Sequence, residues 1–238
     1  MKAREFQSLD EETRALLRRV LERQAYRQRM AANIRGHGIK FFSELEEKLA
    51  VATELESALQ VLHQVERLYV GLGGKELTQA VRPRMERIPY PASRQELAVC
   101  LGVIGRAERV VARCYLGGIS SDFASIARTL SAPPSGMVEG EEERFIAFAS
   151  EAGNRTQAQA YWTRWTVVAL GAMGRPDTAG DERAVELHLR KKRVGEVMAD
   201  FLDEIDELRK SVDLPLPDPA VHGLEVPASL AKRFAPQS

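Results

Sequence analysis

The sequence predicts an all-α protein built around four long helices. Apolar residues recur with the helical period of about 3.6 residues, and capping residues and glycine stops delimit long segments. No segment shows the strict alternation of a half-buried strand. The 238 residues, 44% of them hydrophobic, are sufficient for one sizeable core. We expect one helical domain over residues 1–213 and an extended, proline-rich tail over residues 214–238.

Capping pairs and glycines predict where the helices begin and end. A serine followed three residues later by glutamate predicts the starts of three long helices, at Ser8–Glu11, Ser43–Glu46 and Ser93–Glu96. Glycines predict their ends, with the first near Arg35 before Gly36 and Gly38, the second at 71–74 and the third at Gly117–Gly118. The other helices are expected at 75–81, from Ser120 or Ser121 to 130, from 138 to 172 with a break at Gly153–Asn154, at 181–191 and at 194–212.

Charge and cysteine usage limit the classes of partner. The 34 basic and 34 acidic residues cancel, so no net field favours nucleic acid or an anionic membrane. The N-terminal segment has no apolar run, so we expect no signal peptide. No stretch of eighteen uncharged apolar residues occurs in the sequence, so we expect no membrane span. Cys100 and Cys114 lie on one predicted helix, about 21 Å apart by the helical rise, and cannot bond to each other. Two buried thiols suit a reducing cytoplasm.

Two other features allow both a structural and a ligand-binding interpretation. The basic run at residues 190–193 is interpreted as a solvated helix end rather than a phosphate or coenzyme A contact. The aromatic group of Tyr161, Trp162 and Trp165 has the spacing of core residues, and the alternative is the wall of a small-molecule pocket. The glycines at 71–74 followed by Lys75 lack the spacing of a phosphate-binding loop.

The helical period places two carboxylates on predicted core faces. Glu54 lies within the apolar arc of the second long helix, and Glu108 lies within that of the third. On the first helix Gln24 and Gln28 fall among inward-facing apolar residues. A carboxylate on an apolar face is costly unless something pairs with it, so each either meets an arginine or water at the bundle edge or serves a site.

Metal-binding helical bundles of the di-iron type use a glutamate and a histidine three residues apart on one helix face. None of the four histidines has a glutamate three positions before it; the residues there are Ile34, Gln60, Val185 and Pro219. His63 precedes Glu66 in the reverse order and falls on the polar side of its helix. We interpret His63 as a surface residue rather than a ligand.

A succession of segments resembles one family. The stretches SELEEKLAVATELESALQVLHQVERLYVGLGG, IPYPASRQELAVCLGVIGRAERVV, ISSDFASIARTL, YWTRWTVVALGAMGRPDT and DLPLPDP are similar in layout to the ferritin-like subunits of multicomponent phenylacetyl-CoA epoxidase and their relatives in phenylacetate catabolism. The likeness runs from about residue 18 to residue 219. It implies a ferritin-like four-helix bundle with additional C-terminal helices, and an oxygenase-related role.

The resemblance also implies that most iron ligands are missing. The ligand glutamate of the first helix corresponds to Gln28, and the glutamate and histidine of the second correspond to Ala58 and Val61. On the fourth helix the ligand histidine corresponds to Ile146. Apolar side chains would then fill the space that relatives give to metal.

The resemblance retains only acidic positions. Glu108 and Glu143 match family ligands, and Glu54 stands one turn before the missing glutamate and could add a third oxygen. Two carboxylates cannot hold two irons against water, and a mononuclear remnant site built on Glu54, Glu108 and Glu143 is the alternative.

Three functions remain open at this stage. The first is a non-catalytic structural subunit that needs no cofactor and forms a homodimer or a heteromer with a related ferritin-like subunit. The second is an oxygenase with an altered carboxylate site that binds iron. The third is a module that binds acyl-CoA or another small molecule. The sequence indicates neither a catalytic residue nor a substrate.

Overall fold

The computed structural model describes residues 9–118, 120–133 and 136–234, without the side chains of 136–139. These residues form an all-α helical bundle without strands, which confirms the predicted fold class. The helices are α1 (Glu11–Gly38), α2 (Leu45–Gly71), α3 (Leu77–Met85), α4 (Arg94–Arg113), α5 (Ser121–Leu130), α6 (Gly136–Ser150), α7 (Arg155–Met173), α8 (Ala179–Glu186) and α9 (Val194–Val212). No described helix combines the length and apolar character that a membrane crossing needs.

Side-chain caps define several helix starts. Ser93 caps α4 by accepting the backbone N–H of Glu96 at 3.2 Å, and Ser120 caps α5, as predicted. The prediction of Ser43 as a cap is wrong, because α2 begins at Leu45 and its N-cap residue Glu44 forms no side-chain cap bond. Ser8 lies outside the described residues, and α1 begins instead after Asp10, whose carboxylate accepts from Thr13 N at 2.8 Å.

The predicted stop at Gly36 and Gly38 is wrong, since α1 continues through Gly38. A Cβ built on Gly38 would lie 2.7 Å from a methyl carbon of Leu97, so this glycine allows α1 to approach α4 closely. Helix α4 ends at Arg113 rather than at the glycines 117–118, and α3 covers 77–85 rather than 75–81. Gly38 serves a helix–helix contact and Gly117 lies in a turn after α4. A local sequence pattern reveals neither role.

The core lies between α4 and its neighbours. Helix α4 packs against α1, α5, α6, α7 and α9, while α1 and α2 form the longest helix pair. The apolar arcs predicted for the first three long helices are confirmed as buried faces; their buried members are Leu17, Val20, Leu21, Ala31, Val51, Ala58, Val61, Val65, Tyr69, Leu97, Leu101, Ile104, Ala107, Val111 and Tyr115. Cys100 and Cys114 are buried and unbonded, and burial raises the pKa of Cys114 to about 11.

The segment after α9 packs back onto the bundle. It contains no helix until a 3-10 turn at Ala228–Arg233, and prolines recur along it. Trp162 donates its indole N–H to the carbonyl oxygen of Pro215 at 3.1 Å, and Leu214, Leu230 and Phe234 are buried. The described part of the tail therefore contributes to the core of its own chain.

The basic run at 190–193 connects α8 to α9, and its interpretation as a solvated helix end is wrong at Arg190. Arg190 is buried and forms an ion pair with Asp181, which is buried as well. The Asp181 carboxylate also accepts the backbone N–H of Val194 at 3.0 and 3.1 Å. This pair therefore joins the start of α8 to the start of α9.

Candidate functional site

A cavity of about 240 Å³ lies among α1, α2, α4 and the end of α5. It contains four of the six positions that the resemblance assigns to metal ligands, namely Gln28, Ala58, Val61 and Glu108. The residues that line it are Gln28, Arg35, Glu54, Ser57, Ala58, Val61, Gly105, Glu108, Arg109, Thr129, Leu130, Ala132 and Pro133.

Helical spacing explains why these side chains converge. Gln28 and Arg35 are seven residues apart on α1, which is two turns, so they project from the same face. Glu54, Ala58 and Val61 follow one another on α2 at spacings of four and three residues. Each helix thus presents one strip to the cavity.

Each carboxylate at the cavity already has a protein partner. The side-chain amide of Gln28 donates a hydrogen bond to Oε1 of Glu108. Arg35 Nη2 lies 3.6 Å from Oε2 of Glu54. Burial raises the pKa of Glu108, while Arg35 and the hydrogen bond from Gln28 oppose that increase. The two acidic groups are therefore held by an amide and a guanidinium.

Further arginines add positive charge around the cavity. Arg27 is buried and donates to Gln24 Oε1 at 2.7 Å and to the carbonyl oxygen of Ala172 at 3.3 Å. Arg109 lines the cavity, where burial lowers its pKa and Arg106 lowers it further. A site that must attract a cation would not surround two carboxylates with guanidinium groups.

The structure brings together two of the three predicted metal residues. Glu54 and Glu108 line the same cavity, beside Ala58 and Val61. Glu143 is exposed on α6 and is not among the lining residues. Ile146 is partly buried against the core and does not line the cavity either. Of the apolar residues that stand at ligand positions of the resemblance, Ala58 and Val61 on α2 line the cavity and Ile146 does not.

The residues present do not fit an iron centre. No imidazole lines the cavity, and one oxygen of Glu54 and one oxygen of Glu108 are engaged by Arg35 and Gln28 respectively. Across the described residues, no group of three or more His, Cys, Asp or Glu side chains is arranged to hold a metal ion. The arrangement can neutralise buried charge, and it offers no ordinary set of metal donors.

Sequence reasoning missed the inward position of Arg35 on α1. Arg35 falls on the same helical face as Gln24, Gln28 and Ala31, so the period that placed the glutamines also placed Arg35. The sequence prediction nevertheless did not count Arg35 among the inward-facing residues, because charged arginine side chains are seldom buried. The expected partner for a carboxylate on an apolar arc was an arginine or water, and Arg35 is the partner of Glu54.

The remaining candidates lie elsewhere. Trp162 and Trp165 are fully buried in the core, and Tyr161 is partly buried against it, which agrees with their structural interpretation. His63 is exposed, as predicted.

Fold and cavity together define an all-α helical-bundle protein with a charge-paired polar centre. No protein-family model matches the sequence, and no curated protein matches it either. The resemblance to phenylacetyl-CoA epoxidase subunits therefore stays a prediction.

Proposed function

We propose that the chain is a non-catalytic, ferritin-like subunit, related to the oxygenase subunits of phenylacetate catabolism, that acts by assembling with a second bundle. One observation carries the proposal: the central cavity holds Glu54 paired with Arg35 and Glu108 paired with Gln28, where a catalytic subunit would need free donors. Ala58 and Val61 supply apolar walls between them.

The charge balance supports a structural role for this cavity. An isolated buried carboxylate is costly, and a paired one is tolerated. The guanidinium of Arg35 supplies positive charge from the protein itself, so the bundle needs no ion to neutralise Glu54. An oxygenase would instead require an open coordination position.

The outer face of α2 supports association with another subunit. Four large apolar residues are exposed along this helix: Leu45, Leu49, Leu59 and Val70. The helical advance places them within an arc of about 80°. Exposed Glu56 and His63 fall within the same arc, so this face mixes apolar and polar side chains, as the surface of a subunit contact commonly does. The expected partner is a second ferritin-like bundle, either another copy of this chain or a related subunit.

Metal analysis tests the non-catalytic assignment. The purified chain is incubated anaerobically with ferrous salt, desalted and analysed for iron and protein. We expect far less than one iron per chain, because the carboxylates are paired and no imidazole is present. Stoichiometric iron that survives desalting would overturn the assignment and favour the alternative, an oxygenase with an altered carboxylate site.

Sedimentation tests the assembly separately. The chain alone, and the chain co-expressed with a candidate metal-bearing subunit, are compared with the variant Leu49→Glu. We expect the wild type to associate in one of these experiments and Leu49→Glu to weaken that association. The matched control is Val221→Glu, since Val221 is also an exposed apolar residue but lies in the tail. Equal weakening by both variants, or a monomer throughout, would contradict the proposal.

A further inference from the structure

A second cavity, of about 620 Å³, is lined by residues other than those of the charge-paired centre. Residues of α1, α3, the end of α7, α9 and the tail surround it. Its polar wall carries four arginines: Arg23, Arg84, Arg87 and Arg175. Its size falls within the range of about 300–1,000 Å³ that is common for small-molecule sites.

Three of these arginines have no acidic partner in the part of the chain that the structure describes. Arg175 lies 3.3 Å from Glu225, whereas Arg23, Arg84 and Arg87 form neither an ion pair nor a side-chain hydrogen bond there. Arg84 and Arg87 are exposed to solvent, so the unpaired guanidinium that needs a reason is that of partly buried Arg23.

Arg23 is the most constrained of the three. It is partly buried, and burial lowers its pKa, with Arg190, Arg27 and Arg84 lowering it further by their positive charge. Gly174 stands beside it with φ of 109°, and a Cβ built there would lie 3.1 Å from Arg23 Nη1. The turn after α7 thus lets the guanidinium lie against the backbone, inside a positive and partly dehydrated environment.

Other residues of the lining are apolar or aromatic. Leu170 and Met198 are buried, and Leu224 and Tyr26 are partly buried. Burial raises the pKa of the Tyr26 hydroxyl, so this hydroxyl stays protonated near neutral pH and can donate a hydrogen bond. The lining therefore combines several cationic groups with apolar side chains.

We propose that this cavity binds a small molecule that carries a phosphate or diphosphate group on an apolar body. Guanidinium forks match phosphate oxygens with two parallel hydrogen bonds, and three positive charges suit an anion with more than one negative charge. Leu170, Met198 and Leu224 would contact the apolar body. The proposal does not depend on the proposed subunit role, because the two cavities share no lining residue.

Calorimetric titration of the full chain tests the site with three probes: inorganic phosphate, pyrophosphate and phenyl phosphate. We expect saturable binding of pyrophosphate at one site per chain and tighter binding of phenyl phosphate than of inorganic phosphate. Arg23→Gln and Arg84→Gln should each weaken pyrophosphate binding by about tenfold or more, since each removes a charged hydrogen-bond donor.

Arg82→Gln is the matched control. Arg82 is on α3 like Arg84, but it is exposed, pairs with Glu86 at 3.6 Å and does not line the cavity. Arg82→Gln should change the pyrophosphate affinity by less than about threefold, because a charge on the surface is screened by solvent and salt. Arg84 is exposed as well, so Arg84→Gln is expected to fold even if Arg23→Gln does not.

Two results would overturn the proposal. One is the absence of saturable pyrophosphate binding by the wild type at millimolar concentration. The other is an equal loss in Arg82→Gln and Arg84→Gln, which would indicate a diffuse surface attraction. If phenyl phosphate bound no tighter than inorganic phosphate, the apolar body of the proposed ligand would be refuted.

Discussion

The side-chain amide of Gln28 on α1 donates a hydrogen bond to the carboxylate of Glu108 on α4. This bond crosses the centre of the bundle, beside the ion pair between Arg35 and Glu54. Gln28 occupies a position that the family resemblance assigns to a ligand glutamate. A glutamate there would repel Glu108 unless a cation lay between them, whereas the amide stabilises it directly.

The first prediction concerns the pH dependence of stability at Glu108. Burial raises the pKa of Glu108 in the folded chain, so folding favours its protonated form. The resulting stabilisation is present below the pKa of the unfolded chain and is lost as the pH rises through the raised folded value. Glu108→Gln cannot ionise, and its carbonyl oxygen can still accept from Gln28. The free energy of unfolding of this variant should therefore exceed that of the wild type at neutral pH.

The measurement is urea unfolding of both proteins at several values between about pH 4 and pH 8. The difference between variant and wild type should shrink toward acid pH. Glu56→Gln is the control, since Glu56 is exposed on α2. A difference that stayed constant with pH would show that ionisation of Glu108 does not cost stability.

The second prediction concerns the buried ion pair between Arg190 and Asp181. Arg190→Met removes the guanidinium partner of the buried Asp181 carboxylate. The backbone N–H of Val194 then remains as its hydrogen-bond donor. Removing one partner of such a pair typically costs about 3–5 kcal/mol. The free energy of unfolding should fall by that order in denaturant titration.

Arg193→Met is the matched control from the same basic run. Arg193 is exposed and lies 3.0 Å from the exposed Glu182, so its loss should cost less than about 1 kcal/mol. If both variants were equally destabilised, the distinction between a structural and a solvated arginine would fail.

The third prediction concerns two glycines. A Cβ built on Gly74 would lie 2.3 Å from Cε1 of Tyr69, whose ring is buried and whose hydroxyl donates to Glu22 at 3.0 Å. Gly74→Ala must displace this ring and should lower the free energy of unfolding by about 1–3 kcal/mol. Gly140 lies within α6 with no atom within 4 Å of the added methyl group. Gly140→Ala should therefore stabilise the chain by up to about 1 kcal/mol.

Thermal and denaturant unfolding of the two alanine variants check this contrast. The outcome that contradicts it is a Gly74→Ala protein as stable as the wild type, because the Tyr69 ring would then be free to move.

Local periodicity was enough to predict which faces of α1, α2 and α4 are buried, since facing depends only on the helical advance. It could not predict that Gly38 serves a contact with Leu97, which is distant in sequence. The burial of Arg190 likewise depends on its ion pair with Asp181 on α8, a tertiary contact that no helical period describes. At the cavity, the apolar arcs of their helices were enough to predict the inward positions of Glu54 and Glu108. Arg35 was not predicted there, because a charged side chain is normally assigned to the solvent face.

The last prediction tests whether the α2 positions of the cavity correspond to lost ligands. Ala58→Glu and Val61→His together would place a glutamate and a histidine three residues apart on the face that lines the cavity. Arg35→Ala added to them releases Glu54 from its ion pair and removes a positive charge. With Glu54 and Glu108, the triple variant would offer three carboxylates and one imidazole to a divalent metal ion.

We expect this triple variant to retain about one Fe²⁺ or Co²⁺ per chain after desalting, where the wild type retains none, measured by metal analysis and, for Co²⁺, by its visible absorption. Leu59→His is the control, because it places a histidine three residues after the exposed Glu56, on the outer face of the same helix. Metal retention by the control but not by the triple variant would mean that the cavity is not the counterpart of a metal centre. Retention by the triple variant alone would show that three side chains separate this charge-paired bundle centre from a metal site.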